Sequence, residues 1–465
     1  VAAPVADPKL WLVEIEGAKA IDWVKERNKT SLGELEGDKR YEPLRQEMRA
    51  ILNAQDKIAW PAWRGGKIYN FWQDAEHVRG LWRRAPLAEY RKKDPKWDII
   101  LDFDKLGKDE GESWVYKGAN CQARRTERCL LNLSRGGKDA VVVREFDAAR
   151  STWVAGGFVL PEAKHRLEWL NDDTLLIGSD FGPGSLTKSG YPRTIRRWAR
   201  GTALSAAPVV FEGLESDVMV VPSAYEDESG RLVIVHVSKT FFETEYHRLT
   251  ADGMFRRLAI PLDSEIEDWD GKRLYVRLLK DWAVDGATRK AGSLISIPDD
   301  AYEEKSFSGK VETVYSPDPR SSLASAFFVG GSLHLLIREN VVTRLYTANP
   351  RRGAAWKRTQ VLLPDNGTVG ITASDPFRPE LFVSYTSFLV PTTLTMIPKP
   401  GAKPEVIKSL PPRFNVDGLE ATQLEATSAD GTKVPYFLVR RKNAPIDGTT
   451  PTLLYGYGGF QAVYG

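Results

Sequence analysis

Serine chemistry needs a hydroxyl on a sharp turn with a base beside it, and no Gly-x-Ser-x-Gly elbow occurs in the 465 residues. The nearest string, Gly330-Gly331-Ser332-Leu333-His334, lacks the second glycine and falls between strand-like runs, so it reads as a hairpin turn. The five histidines (His77, His165, His236, His247 and His334) form no His-Glu-x-x-His pattern and read as surface or packing residues. Gly182-Pro183-Gly184-Ser185 is rich in glycine, but it joins no strand to a helix and no lysine follows, so a phosphate loop is not expected. Glu265/Glu267/Asp268 and Asp299/Asp300 bring carboxylates close enough for glycosidase chemistry, yet acid pairs in loops are common. Cys121 and Cys129 are either two free thiols or a clip across one hairpin. No Cys/His spacing suits zinc, and neither a metal nor a cofactor is expected.

The elements that would carry these residues change in texture along the chain. From Ile15 to Asn53, apolar residues recur at three- and four-residue spacings (Ile21, Val24, Leu32, Leu35, Leu44, Met48, Ile51), which predicts helices with a break near Gly37-Asp38 and Pro43 near the next helix's first turn. From about Ile58 onward short β-rich runs take over, among them Lys67–Trp72, Trp97–Leu101, Ala140–Glu145, Thr174–Ile177, Leu232–His236, Leu274–Leu279, Leu333–Ile337 and Leu381–Tyr385. Turn clusters such as Arg64-Gly65-Gly66 and Asn171-Asp172-Asp173 separate them. Many short strands over such a length point to a β-propeller, and seven blades of about 50 residues would fill the region. After a linker at Pro411-Pro412-Arg413-Phe414, Leu419–Thr427 and Val434–Arg440 read as a hairpin turning at Asp430-Gly431. Pro451 to Phe460 reads as a short apolar strand running into glycines, the way an α/β sheet presents backbone to a ligand.

The fold class is therefore mainly β: a seven-bladed propeller with N-terminal helices and the first strands of an α/β domain. The expected divisions are residues 1–57, 58–418 and 419–465. Sixty-five basic and 62 acidic residues leave a net charge of only +3, which gives no reason to expect nucleic acid or an anionic membrane as partner. The chain begins at Val1, and the compartment, cytoplasm or periplasm, stays open.

Two separated stretches carry a resemblance. Asp7-Pro8-Lys9-Leu10-Trp11-Leu12, followed by the Glu-rich helical region and Asn28, resembles the start of prolyl oligopeptidase family chains. Thr427-Ser428-Ala429-Asp430-Gly431-Thr432-Lys433-Val434-Pro435, with Leu454-Tyr455-Gly456-Tyr457-Gly458-Gly459-Phe460, resembles that family's approach to its hydrolase domain. The β-rich middle matches the family's seven-bladed propeller in length.

The resemblance implies a serine peptidase that cleaves short peptides after proline, acting as a monomer, with the propeller as a size-selective gate. Tyr457 matches the tyrosine whose hydroxyl helps form the oxyanion hole, and Phe460 matches an aromatic of the proline pocket. The serine, aspartate and histidine of the family have no counterpart before Gly465. They are expected in a longer protein, and the chain alone is expected to be inactive. The crossovers near Asn53–Ile58 and Phe414–Glu420 are the expected hinges. Arg193, Arg196, Arg197 and Arg200 could meet a peptide carboxylate in the tunnel or line a solvated blade edge. The alternative reading of the chain is a non-catalytic propeller that binds peptides or proteins.

Overall fold

The computed structural model describes residues 7–14, 17–122, 127–351 and 354–457, and the chain divides into two compact units, Val1–Lys57 and Ile58–Gly465.

The first unit holds a short 3-10 turn, Leu10–Val13, and two helices, Ala18–Glu36 and Tyr41–Leu52. The break between the helices is local: Asp38 Oδ1 accepts from the Arg40 backbone N–H at 2.8 Å, and the Asp38 carbonyl accepts from the Tyr41 N–H at 2.9 Å. Trp11 meets Trp23 edge-on at 6.4 Å, and the Lys19 ammonium lies 4.4 Å from the Trp11 ring centroid.

The second unit is a ring of seven sheets, each with four consecutive antiparallel strands, over residues 62–102, 114–163, 166–212, 219–257, 264–315, 321–360 and 368–409. The second blade carries an extra strand, Thr152–Trp153, that pairs with Val141–Asp147 beside Val159–Ala163. The fifth blade inserts a hairpin, Trp282–Val284 with Ala287–Arg289, between its second and third strands. First strands lie against first strands of the next blade, as Arg166–Asn171 does against Met219–Asp227 and Ser264–Trp269 against Ser321–Val329. They are therefore the innermost strands.

Second strands are buried on both faces and read as continuous apolar runs: Leu175, Leu176 and Ile177 are all fully buried. Each blade is built from contiguous residues, so no strand from one end of the ring completes the blade at the other end. Blades seven and one meet through side chains instead. Trp63 and Tyr90 pack on Phe382 at 5.9 and 6.0 Å, and Arg91 pairs with Glu405 at 2.6 Å.

Two short helices of this unit, Leu87–Tyr90 and Phe103–Glu110, are additions to the expected elements. Phe103–Glu110 follows the first blade, with Asp102 capping its start by accepting from Lys105 N–H at 2.9 Å and Gly111 ending it at φ 67°. The eight-residue stretch is too short to show helical periodicity against its β-rich surroundings.

The hairpin Leu419–Thr427/Lys433–Arg441 holds one unbroken register from Leu419↔Arg441 to Thr427↔Lys433. Beyond it the expected apolar strand is not formed. Residues 451–457 have no regular structure, and Leu453, Leu454 and Tyr455 are 89%, 94% and 74% exposed. A strand of that kind needs neighbours to take its backbone N–H and C=O groups, and no described strand pairs with it. The start of an α/β sheet is thus absent from the described residues.

Candidate functional site

Tyr457, the residue matched to an oxyanion donor, lies in this irregular segment and is 55% exposed. Phe460 lies outside the described residues.

The arginine cluster does not act as one group. Arg193 Nε and Nη2 donate to Gly184 O at 2.9 and 2.6 Å, Nη1 donates to Gly213 O at 2.8 Å, and Glu212 pairs with it at 2.6 Å. Arg200 pairs with Glu145 and Asp173, each at 2.7 Å. Arg196 lies 4.2 Å from the Phe181 ring centroid. Arg193 and Arg200 are committed to loop carbonyls and carboxylates, so neither offers a free fork to a peptide carboxylate. Sequence spacing clusters these arginines, and the fold ties these two off.

The acid pairs have the same fate. Glu265 and Glu267 both accept from Arg277, and Glu267 also accepts from the Ala326 backbone N–H at 3.1 Å. Asp268 accepts from Phe328 N–H at 2.5 Å and Trp269 N–H at 2.7 Å, and burial pushes its carboxyl up to about 6. Asp299 takes Arg248 at 2.8 Å and the Trp269 indole N–H at 2.8 Å. These carboxylates join neighbouring blades or strands and are not poised across an open cleft.

Polar side chains link neighbouring blades, through arginine–carboxylate pairs at two interfaces and tyrosine hydroxyls at a third. Between blades one and two, Glu127 accepts from Tyr69, Lys67 and Arg84, while Arg84 also donates to Asp98 at 2.8 Å and to the Ala148 and Ala149 carbonyls. Between blades three and four, Arg231 joins Glu168 at 2.7 Å and also reaches the Trp169 carbonyl. Burial pushes the Glu168 carboxyl up to about 7 against the pull of Arg231. Between blades four and five, Tyr225 and Tyr246 donate to the Ile266 and Ser264 carbonyls, each at 3.2 Å. Apart from Arg84 with Asp98 inside blade one, these partnerships join residues of different blades and are not visible in the sequence.

The remaining candidates are structural. His334 stacks on Phe327 at 5.3 Å, and His236 lies 2.5 Å from Ser223 Oγ. Burial holds both imidazoles down to about 4. Gly330 and Gly331 form the hairpin turn before Ser332 at φ 59° and 73°, values that suit glycine. Ser185 Oγ is spent within its own loop, donating to Gly182 O at 2.6 Å. Cys121 and Cys129 face each other across their hairpin and are joined by a disulfide, which resolves the alternative left by the sequence. Among the described residues no group of three His, Cys, Asp or Glu is placed to hold a metal ion, and no helix is long and apolar enough to cross a membrane.

Comparison with known proteins agrees with this architecture. Residues 2–408 match the family described as prolyl oligopeptidase, N-terminal beta-propeller domain. The uncharacterized peptidase y4nA of Sinorhizobium fredii is 38% identical over 98% of the chain, and the uncharacterized peptidase RP174 of Rickettsia prowazekii is 29% identical over 97%. The chain spans 64% of the length of each of these relatives. A solved structure of a post-proline cleaving enzyme from Rickettsia typhi superposes with a TM-score of 0.91 at 28% identity, covering 98% of this chain and 68% of that one. Oligopeptidase B from Trypanosoma brucei shares the fold, with a TM-score of 0.75 at 16% identity over 97% of this chain and 63% of its own. With a seven-bladed ring of contiguous four-stranded meanders and a family match over most of its length, the chain belongs to the prolyl oligopeptidase family.

Proposed function

We propose that the protein is a serine peptidase that hydrolyses short peptides after proline and that its propeller filters substrates by size. The observation that carries this is the near-complete superposition on the post-proline cleaving enzyme of Rickettsia typhi. In this reading Tyr457 donates its hydroxyl to the oxyanion that develops as the scissile carbonyl is attacked, and Phe460 forms a flat wall for the proline ring. The serine, its histidine base and the orienting carboxylate lie beyond residue 465. In this reading the ring excludes folded proteins and admits flexible peptides, and the packed blade cores support it by giving the ring a fixed width.

The test is to treat the intact natural protein with a fluorophosphonate probe and to assay peptides with proline or alanine before a reporter. Labelling together with preferential release from the proline peptide is expected. An unlabelled protein that cleaves neither peptide overturns the reading and leaves the propeller as a binding module.

A further inference from the structure

In a ring of four-stranded meanders, the loops between second and third strands lie at the same end as the blade-to-blade connections. The chain reaches its first blade at Ala62 and leaves its last at Ser409 on that face. A cavity of about 400 Å³ opens there between blades two and three. Its walls include Lys117 from the inner strand of blade two, Lys164 and His165 from the connection between blades, Arg166 at the start of the inner strand of blade three, Tyr191 from a loop of blade three, and Asp139.

The cations of this cavity differ from those that join the blades. Arg84, Arg200, Arg231 and Arg248 each pair with a carboxylate. Arg166 instead donates to His165 O at 2.9 Å, approaches Met219 Sδ at 4.0 Å and sits 5.3 Å from the Tyr191 ring centroid. Lys164 lies 5.0 Å from the same ring. Among the described residues no carboxylate pairs with Lys117, Lys164 or Arg166. His165, its Nε2 2.7 Å from Pro161 O, is held neutral by burial, which pushes its pKa down. Three cations therefore face a single carboxylate, Asp139. Like charges held together repel, and a concave wall focuses their field, so an anion entering the cavity relieves that repulsion and gains charge-assisted hydrogen bonds.

The geometry points to a subsite that binds the C-terminal carboxylate of a peptide, with Lys164 and Arg166 as its main ligands, Lys117 as a third cation and the Tyr191 ring as a wall for the terminal side chain. The peptide source of that carboxylate rests on the peptidase reading above; the anion site itself does not. Such a site favours short peptides with a free end near the propeller, a chemical form of size selection beyond steric exclusion.

The test pairs two N-terminally labelled proline-containing hexapeptides, identical except for a free or amidated C-terminus, on the intact protein. Fluorescence anisotropy reads Kd and cleavage reads KM. The acid is expected to bind about 10-fold more tightly than the amide, as loss of one charge-assisted contact predicts. Lys164→Gln/Arg166→Gln should bring the ratio to about 1, and the single exposed change Lys117→Gln, which disturbs no packing, should lower it about threefold. Inorganic phosphate added at tenfold over the peptide should displace the acid peptide only weakly if the terminal residue contributes to binding. Equal affinities for acid and amide in the unaltered protein overturn the proposal, as does a preference that survives in both variants, or phosphate displacing the acid peptide outright. If neither peptide is cleaved but the acid preference appears in binding and vanishes in the variants, the subsite stands and the peptidase reading falls.

Discussion

In the propeller the large apolar side chains of the blade cores are covered: Ile68, Leu131, Leu175, Phe103 and Phe382 are all at 0% exposure. The helices Ala18–Glu36 and Tyr41–Leu52 and the segment after the terminal hairpin treat the same residue types differently. Leu32, Leu44 and Met48 keep 48%, 55% and 62% exposure, Leu453 and Leu454 still more, and in the two helices only Ala20 is buried. A ring whose blades cover one another completes its core from its own residues, with each buried charge tied to a neighbour. The helical stripes and the run from Pro451 are apolar surfaces for which no described residue is a full partner. Stability therefore resides in the ring, and the proposed chemistry belongs to a flanking segment that contributes little to it.

Substitutions can break or sharpen that contrast. The largest effect is expected for Arg84→Met, which takes the guanidinium from Glu127 and from the Ala148 and Ala149 carbonyls, leaves Glu127 only Lys67 and Tyr69, and should cost about 4 kcal/mol in urea unfolding. A cost under about 1 kcal/mol would mean that the ring does not depend on its buried ion pairs. Tyr457→Phe should do the reverse: kcat of the intact protein falls about 100-fold, roughly 3 kcal/mol, with no shift in Tm. If Tm falls with kcat, the terminal segment is structural after all. Cys129→Ser opens the short loop closed by the disulfide and should cost about 2.5 kcal/mol in the same unfolding assay.

Acid should act on the ring next. His334 has a native pKa near 4 against 6.5 when unfolded, so between those values the unfolded chain binds the extra proton and stability falls as pH falls. The buried carboxyls of Glu168 and Asp268 act in the opposite direction, so the informative quantity is the difference between two curves. His334→Phe should flatten the loss between pH 6.5 and 4 by roughly 2 kcal/mol. Parallel curves for the two proteins would remove His334 as a contributor. The smallest effect is expected at the join of blades seven and one. There Arg91 and Glu405 are 46% and 42% exposed, and Arg91→Ala should cost about 0.5 kcal/mol, a loss that salt masks. A loss of several kcal/mol would show that this pair, and not the packing of Trp63 and Tyr90 on Phe382, closes the ring.

Much of the ring was legible as sequence where the signal is local. Lys67–Trp72 is a strand with those bounds, and the runs at Leu232, Leu333 and Leu381 fall on second strands, whose two buried faces demand continuous apolar residues. Inner strands were harder to see. Ser264–Trp269 carries Glu265, Glu267 and Asp268, whose partners lie on a neighbouring strand or the next blade, so its polar residues masked the strand pattern. The proposed subsite was not legible at all, since Lys117 and Tyr191 are far apart in the chain and only the packing of blades two and three brings them together. The expected terminal strand shows the converse: an apolar run predicts what a segment can become, and without neighbours to take its hydrogen bonds it stays irregular.

By itself the sequence determined the helices and their break at Gly37-Asp38, the β-rich repeat, the hairpin turning at Asp430-Gly431 and the family resemblance, because turns, caps and strand periodicity depend on neighbours in the chain. The tertiary structure alone decided which charges are spent and which remain available. Arg193 and Arg200 share a basic run in sequence and are both tied off, while Arg166 pairs with no carboxylate among the described residues. Ion pairing is set by distance in space, and in a propeller the nearest charge to a blade's edge sits on the next blade, some 40 to 60 residues along, as with Arg84 and Glu127 or Arg231 and Glu168.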